Sequence, residues 1–208
     1  DLPERLCLVE SHAPGRPLKE WAPKAVPAQV AAVGAQIAAA LAALSPHGIR
    51  HGDIKPDNIL VRDTAQGPHA VLIDFGLATR INHQGNHGGT PRFMAPEALQ
   101  GQATLASDIY SLAATIALSL GETLPSGLGL TISSSRFTNE LKAMSHPDPK
   151  KRPKASEAFE LFMLHAAEQS QDALEALQDT GVIGGPVGQD HLLGSLHDML
   201  QKGLKQGA

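Results

Sequence analysis

Apolar residues recur at helical spacing in three segments of the chain. From Ala28 to Leu44 they return every three or four residues, and Pro27 stands where a first helical turn favours proline. From Ala106 to Leu120 apolar residues occupy every face, which is typical of a helix buried inside a domain. A third helix is predicted over residues 155–167. The apolar positions of the first segment are Val30, Val33, Ile37, Leu41 and Leu44.

Short apolar runs between these segments predict strands. Residues 6–9 suit a buried strand, and the runs Ile59–Val61 and Ala70–Ile73 are expected to pair as a hairpin across a long polar loop at 62–69. Residues 79–92 are rich in glycine, asparagine and histidine, which predicts an exposed, mobile loop. The pattern indicates an α+β domain that is mainly helical.

Composition sets the number of domains. The 208 residues are 42% hydrophobic but only 3% aromatic, so one aliphatic core is expected. We assign residues 1–170 to this domain and residues 171–208 to a C-terminal helical extension. The leucine-rich stretch Leu192–Leu204 in that extension either closes the core or acts as a regulator that packs on the domain or on a partner helix.

Charge and cysteine content exclude several classes of function. A net charge of −4 argues against nucleic-acid binding, and the single cysteine, Cys7, excludes an internal disulfide and any C-x-x-C metal site. The longest nearly unbroken apolar stretch, Ala38–Leu44, is too short to span a bilayer. The sequence begins without methionine or a signal peptide, so we expect a cytoplasmic chain that starts partway through a larger protein.

Four polar residues form the most informative constellation. Asp53 and Lys55 lie on a loop between a helix and a strand, Asn58 follows at the end of that loop, and Asp74 ends the next strand. A hairpin would bring Asn58 near Asp74, and their oxygens suit Mg²⁺ with phosphate oxygens completing its shell. Asp53 could accept a proton from a hydroxyl, and Lys55 could neutralise a phosphoryl group. Together these groups favour phosphoryl transfer.

The stretches around these residues resemble the eukaryotic-type protein kinases, including their bacterial members. Five motifs occur in the family's order over roughly residues 6–167. They are His51-Gly52-Asp53-Ile54-Lys55-Pro56-Asp57-Asn58 (family pattern H-R-D-x-K-P-x-N), Asp74-Phe75-Gly76, the segment Gly89–Glu97, Ser107-Asp108-Ile109-Tyr110-Ser111-Leu112, and Asp148-Pro149-Lys150-Lys151-Arg152-Pro153.

The resemblance implies transfer of the γ-phosphoryl group of Mg–ATP to a Ser or Thr hydroxyl of a protein substrate. Asp53 would orient the hydroxyl and accept its proton, and Lys55 would contact the γ-phosphate. Asn58 and Asp74 would hold Mg²⁺. Thr90 would tie the substrate-binding loop to Asp53 and Lys55, a feature of the Ser/Thr-specific branch.

The resemblance also implies a nucleotide pocket. Leu60 would form the apolar floor under the adenine, and the hinge around Glu10 and His12 would offer backbone groups to the base. Either Val9 or Glu10 stands at the position that guards the pocket, and Val9 is the better choice because a buried carboxylate there would lack a partner. Phe75 is expected to serve packing. Three scaffold residues are implied as well: Asp108 under the catalytic loop, and a buried Glu97–Arg152 pair.

Two departures from the family pattern leave a second interpretation open. No G-x-G-x-x-G motif occurs in the sequence, so the chain resembles a large kinase lobe whose small lobe is expected in the parent protein. Gly52 replaces an arginine that in the family receives a loop phosphate, which makes switching by loop phosphorylation less expected. The alternative is a catalytically silent, kinase-like protein-binding module; the intact Asp53, Lys55, Asn58 and Asp74 favour the enzyme.

Overall fold

The structure, a computed structural model, describes residues 12–81, 88–122 and 137–169. The strand expected at 6–9, the hinge residue Glu10 and the extension 171–208 lie outside these ranges. The helices are α1 (Leu18–Trp21), α2 (Pro27–Leu44), α3 (Pro96–Leu99), α4 (Leu105–Ser119), α5 (Thr138–Met144) and α6 (Ala155–Gln169). The strands are β1 (Arg16–Pro17), β2 (Ile49–Arg50), β3 (Ile59–Thr64), β4 (Gly67–Leu72) and β5 (Thr79–Arg80).

Helix α2 forms the centre of the core. Pro27 opens it, and the side chain of Gln29 accepts a hydrogen bond from the backbone N–H of Val26 at 3.1 Å. The helix packs against α6, β4 and α4. A Cβ added to Gly34 would lie 3.0 Å from the ring of Phe162, so the glycine allows α2 and α6 to approach closely. The three helices predicted from the apolar spacing are confirmed as α2, α4 and α6.

Among the residues that the structure describes, one helical stretch meets the length and hydropathy criteria for a membrane span. It covers Pro27–His47, which is longer than the apolar stretch Ala38–Leu44 noted in the sequence, but it qualifies by length and composition alone. The alanines of α2 extend its apolar character beyond Ala38–Leu44. Within the fold, 61% of the stretch's apolar window is buried, which is typical of a core helix.

Three strands form an antiparallel sheet in the order β1–β3–β4. The β3–β4 hairpin is paired from Ile59 opposite Leu72 to Thr64 opposite Gly67. The hairpin is confirmed, but the long loop expected at 62–69 is wrong, because the strands continue to a turn of two residues. The polar residues at 62–64 are exposed or half-buried and pair through their backbones, so polarity there marks a solvent-facing strand rather than a loop.

The free edge of β4 is bound by a buried glutamine of α2. Gln36, 3% exposed, donates through Nε2 to the carbonyl oxygen of Pro68 and accepts the N–H of Ala70 through Oε1, both at 2.8 Å. One side-chain amide therefore supplies the pairing that a further strand would provide.

Replacing Gln36 with leucine is expected to lower the free energy of unfolding by about 2–4 kcal/mol, because two buried backbone groups lose their partners. Denaturant unfolding measures this change. The matched control is Gln66→Leu, in the exposed turn of the same hairpin, which should stay within about 0.5 kcal/mol of the wild type. Equal effects of the two substitutions would contradict the role of Gln36.

A second, two-stranded pairing joins β2 to β5, with Ile49 opposite Arg80 and Arg50 opposite Thr79. The prediction of an exposed, mobile loop over 79–92 is therefore wrong for Thr79 and Arg80. Their pairing uses backbone groups, which leave no apolar signature in the sequence. Residues 82–87 of that loop lie outside the described residues.

Candidate active site

The loop between β2 and β3 carries the predicted site, and a buried carboxylate holds its backbone. Asp108 of α4 accepts hydrogen bonds from the N–H groups of His51 at 2.6 Å and Gly52 at 3.0 Å. Burial raises the pKa of Asp108, while the two N–H donors counteract part of that rise. The central buried helix therefore fixes the start of the loop, as expected for a scaffold role of Asp108.

His51 links this loop to the end of β4. Its fully buried ring bonds through Nε2 to the carbonyl oxygen of Ile73 at 3.1 Å, and its Nδ1 accepts the N–H of Asp53 at 3.3 Å. These contacts define a neutral ring with its proton on Nε2. Burial lowers the pKa of His51 and favours the same neutral form. His51 is thus a hydrogen-bonded core residue.

Asp53 is surrounded by donors on both carboxylate oxygens. Oδ1 accepts the backbone N–H of Thr90 at 2.9 Å and its hydroxyl at 2.8 Å. Oδ2 accepts from Lys55 Nζ at 2.6 Å and Asn58 Nδ2 at 3.1 Å. Lys55 Nζ also donates to Thr90 Oγ1 at 3.0 Å. The structure therefore brings Asp53, Lys55, Asn58 and Thr90 into one hydrogen-bonded cluster.

The protonation of Asp53 follows from these contacts. The side chain is 9% exposed, and burial alone would raise its pKa. Hydrogen bonds from Lys55 and Thr90, together with the charge of Lys55, outweigh burial and hold the pKa of Asp53 below its usual range. The group is therefore a carboxylate at neutral pH.

A backbone hydrogen bond of the hairpin links Asn58 to the residue that precedes Asp74. The N–H of Ile73 donates to the carbonyl oxygen of Asn58 at 2.9 Å, which sets the following residue, Asp74, beside it. Asp74 is exposed and has a φ of 64°, and its Oδ1 accepts the N–H of Gly76 at 3.2 Å. A positive φ at a non-glycine residue is costly and often marks a functional position.

The donor set of these two residues fits Mg²⁺. Both side-chain hydrogen bonds of the Asn58 amide use Nδ2, to the backbone oxygen and Oδ2 of Asp53, so Oδ1 is the atom available as a ligand. Asp74 contributes carboxylate oxygens. Within the described ranges no group of three or more His, Cys, Asp or Glu could hold a metal. One carboxylate, one amide oxygen and phosphate oxygens are the kind of shell Mg²⁺ accepts.

Of the residues predicted to line the adenine pocket, the structure describes Leu60 and His12 but not Glu10. Leu60 pairs with Val71, and both lie half-buried on the sheet face opposite the core residues Ile59 and Val61. His12 is exposed, and among the described residues no hydrogen bond joins it to the cluster. The nucleotide-binding roles of Leu60, Glu10 and His12 stay predictions.

Phe75 is more exposed than a packing residue should be. It is 41% exposed and lies edge-on to the His51 ring, with the ring centroids 4.8 Å apart. The expectation that Phe75 serves packing therefore holds for the part of the ring that contacts His51, whereas the 41% that is exposed takes no part in packing. The residue lies in a short helical turn, Phe75–Leu77, which presents the ring at the surface.

Sequence reasoning missed the close approach around Gly52. Gly52 has a φ of 85°, and a Cβ added to Gly89 would lie 3.0 Å from the Gly52 carbonyl oxygen. The segment before Thr90 thus runs against the loop between β2 and β3. The Gly88-Gly89 pair is the signal that could have indicated this contact. The buried side chain of Arg50 was also missed.

A buried ion pair holds the segment that follows Thr90. Arg152 Nη1 and Nη2 donate to Glu97 Oε1 and Oε2 at 2.7 and 2.8 Å, and Ser107 donates to Oε1 at 2.7 Å. The Arg152 side chain is fully buried, and its guanidinium carbon lies 5.1 Å from the centroid of the Tyr110 ring. The implied Glu97–Arg152 pair is confirmed.

The site combines a fixed carboxylate, an ammonium group and two side chains with oxygens that suit Mg²⁺, a set suited to phosphoryl transfer. Comparison with known proteins agrees, because a family model described as "Protein kinase domain" matches residues 2–163. The chain belongs to the protein kinase family. The bacterial Ser/Thr kinase resemblance is confirmed, and the fold class is confirmed as a mainly helical kinase domain.

Several bacterial Ser/Thr kinases are similar to the chain. "Serine/threonine-protein kinase D" of Synechocystis sp. is 34% identical over 149 residues, covering 67% of this chain and 28% of the relative. PknG of Mycobacterium leprae is 30% identical over 157 residues, covering 71% and 19%. PknD of Mycobacterium tuberculosis is 41% identical over 105 residues, covering 48% and 15%. The matched part is thus less than a third of each of these relatives.

Proposed function

We propose that this chain is the catalytic large lobe of a Ser/Thr protein kinase, which transfers the γ-phosphoryl group of Mg–ATP to a protein Ser or Thr hydroxyl. The observation that carries the proposal is the Asp53 cluster. Its carboxylate is buried, ionised and held from both sides by Lys55 and Thr90. Such a group is preorganised to receive a hydroxyl in one orientation.

Asp53 acts mainly by orientation. A carboxylate with a lowered pKa is a weak base, so it removes a proton from a hydroxyl only late in the reaction. Phosphoryl transfer through a loose transition state needs little prior deprotonation of the nucleophile. The weak basicity of Asp53 is therefore compatible with this reaction.

Lys55 is proposed to exchange its partner when substrates bind. Four donors already reach Asp53, which matches the approximately four lone-pair sites of a carboxylate, so a substrate hydroxyl must replace one of them. The Lys55 side chain is 22% exposed, and its ammonium group lies on a flexible stem. Turning away from Asp53 would free an oxygen for the hydroxyl and bring the ammonium to the γ-phosphate.

Asn58 and Asp74 are proposed to hold Mg²⁺ through Oδ1 and the carboxylate, respectively. When bound, the ion would neutralise phosphate charge during transfer. The chain's own contribution is to fix both ligands at the open end of one hairpin, where β3 begins and β4 ends. The hydrogen bond from Ile73 to Asn58 supports that function.

The proposal includes a small kinase lobe from residues outside this sequence, or from a partner chain, that completes the nucleotide cleft. The sequence contains no G-x-G-x-x-G, and the half-buried face of Leu60 and Val71 with the exposed Phe75 offers it an apolar surface. The missing glycine-rich loop is also the observation that favours the alternative, a silent kinase-like module that binds proteins. Nucleotide binding separates the two.

A thermal melt of the full-length protein, which includes the proposed small lobe, with and without Mg–ATP tests nucleotide binding. At 100 times the Kd, Mg–ATP should add about 2.7 kcal/mol to the stability. The gain should require Mg²⁺ and be lost in Asp74→Asn, which removes the carboxylate ligand.

The matched control is Asp57→Asn, an exposed aspartate of the same loop that pairs with Lys19. It should keep the full gain. Absence of any gain in the wild type would favour the silent module, and a gain that survives in Asp74→Asn would contradict the metal role of Asp74.

A further inference from the structure

Arg50 is a buried cation at the start of the catalytic loop. Arg50 is the last residue of β2, directly before His51, and it is 6% exposed. A guanidinium at this depth loses hydration, a cost that hydrogen bonds and nearby negative charges offset. The surroundings of Arg50 therefore indicate what the charge does.

The guanidinium lies over Gly52. A Cβ added to Gly52 would be 2.8 Å from Arg50 Nη1 and 2.9 Å from the carbonyl oxygen of Leu77. A side chain at position 52 would thus collide with both groups. Glycine at this position, with its φ of 85°, leaves the space that the arginine of the neighbouring strand occupies.

The same place adjoins the carboxylate that holds the loop. Arg50, Gly52 and Asp108 line one cavity of about 10 Å³, roughly the space of a single water molecule. Asp108 is buried, which raises its pKa, and the charge of Arg50 is one of the influences that lower it. An ionised Asp108 can accept both loop N–H groups, whereas a protonated one would give up an acceptor site.

We propose that Arg50 is a positioning residue that balances the buried Asp108 carboxylate and thereby fixes the backbone on which Asp53 stands. Gly52 leaves room for the guanidinium beside the loop. The loop thus has its cation at position 50, whereas the family pattern has an arginine at the position of Gly52. The activity part of this inference rests on the proposed kinase function. The coupling between Arg50 and Asp108 is independent of it.

A double-mutant cycle in the full-length protein tests the coupling. The variants are Arg50→Met, Asp108→Asn and their combination, each measured for kcat, KM for Mg–ATP and denaturant unfolding. Arg50→Met should lower kcat by about tenfold or more with little change in KM, because Asp53 loses its fixed position while nucleotide contacts remain. The combined variant should be no worse than Asp108→Asn, because the carboxylate whose charge Arg50 is proposed to balance is already gone.

Two further variants separate charge from packing. Arg50→Lys keeps the charge and should recover most of kcat, and Arg50→Gln replaces Arg50→Met in the cycle if the latter does not fold. Arg80→Met is the control, since Arg80 is an exposed cation on the paired strand β5. It should leave kcat unchanged and be additive with Asp108→Asn.

The inference is overturned if Arg50→Met keeps wild-type kcat, or if its effects on unfolding add to those of Asp108→Asn. If the wild-type protein shows no transfer at all, the proposed function fails. In that case the unfolding cycle still decides whether Arg50 and Asp108 are coupled.

Discussion

Replacing Asp53 with asparagine is expected to lower kcat by about 10²–10⁴-fold in the full-length protein, while KM for Mg–ATP changes little. The amide keeps the shape of the carboxylate but cannot accept the hydroxyl proton, and its N–H₂ group faces donors where an oxygen stood. Steady-state transfer of phosphate to serine and threonine peptides measures the effect.

Asp57→Asn is the matched control for this experiment. Asp57 lies four residues away, is exposed and pairs with Lys19, so its loss should leave transfer near the wild-type rate. A melt of each variant checks that the fold persists. Wild-type activity in Asp53→Asn would show that another group orients the hydroxyl.

Replacing Arg152 with methionine is expected to lower the free energy of unfolding by about 3–5 kcal/mol. The substitution keeps much of the apolar stem but leaves Glu97 as a largely buried carboxylate, with the Ser107 hydroxyl as its remaining side-chain donor. Denaturant unfolding at neutral pH measures the loss. Arg62→Met, on the exposed face of β3, should change stability by less than about 0.5 kcal/mol.

The pH dependence of the same pair provides a second readout. Burial raises the pKa of Glu97, but Arg152 and Ser107 outweigh it and hold that pKa below its ordinary value of 4.5. Glu97 therefore contributes stability above pH 4.5, and this contribution is lost as the pH falls through its lowered folded-state pKa. Arg152→Met should lose less stability in acid than the wild type. An unchanged acid profile would contradict the role of Arg152.

The helical part of the fold could be predicted from side-chain spacing alone. Helices α2, α4 and α6 bury long apolar stretches, and burial leaves a periodic trace in the sequence. The end of the β3–β4 hairpin and the β2–β5 pairing left no such trace, because backbone groups make those contacts. Polar residues in a solvent-facing strand are indistinguishable by polarity from a loop.

The candidate site likewise contains residues that the sequence predicts and residues that only the structure reveals. Short motifs identified Asp53, Lys55, Asn58 and Thr90, and the structure brings these residues together. Arg50 could not be found in this way, since its relation to Asp108 joins residues that are remote in sequence and appears only when both are buried. The left-handed backbone of Asp74 was equally invisible, because nothing in a D-F-G triplet fixes φ at the first residue.

Gln36, which binds the free edge of β4, also affects the tendency of the chain to aggregate at high concentration. An open strand edge offers unpaired N–H and C=O groups to any other strand, including one from another copy, and so invites aggregation. Here the Gln36 amide occupies the carbonyl of Pro68 and the N–H of Ala70, and proline at position 68 has no N–H to offer. Helix α2 thus forms the centre of the domain's hydrophobic core and also protects the sheet against edge-to-edge association.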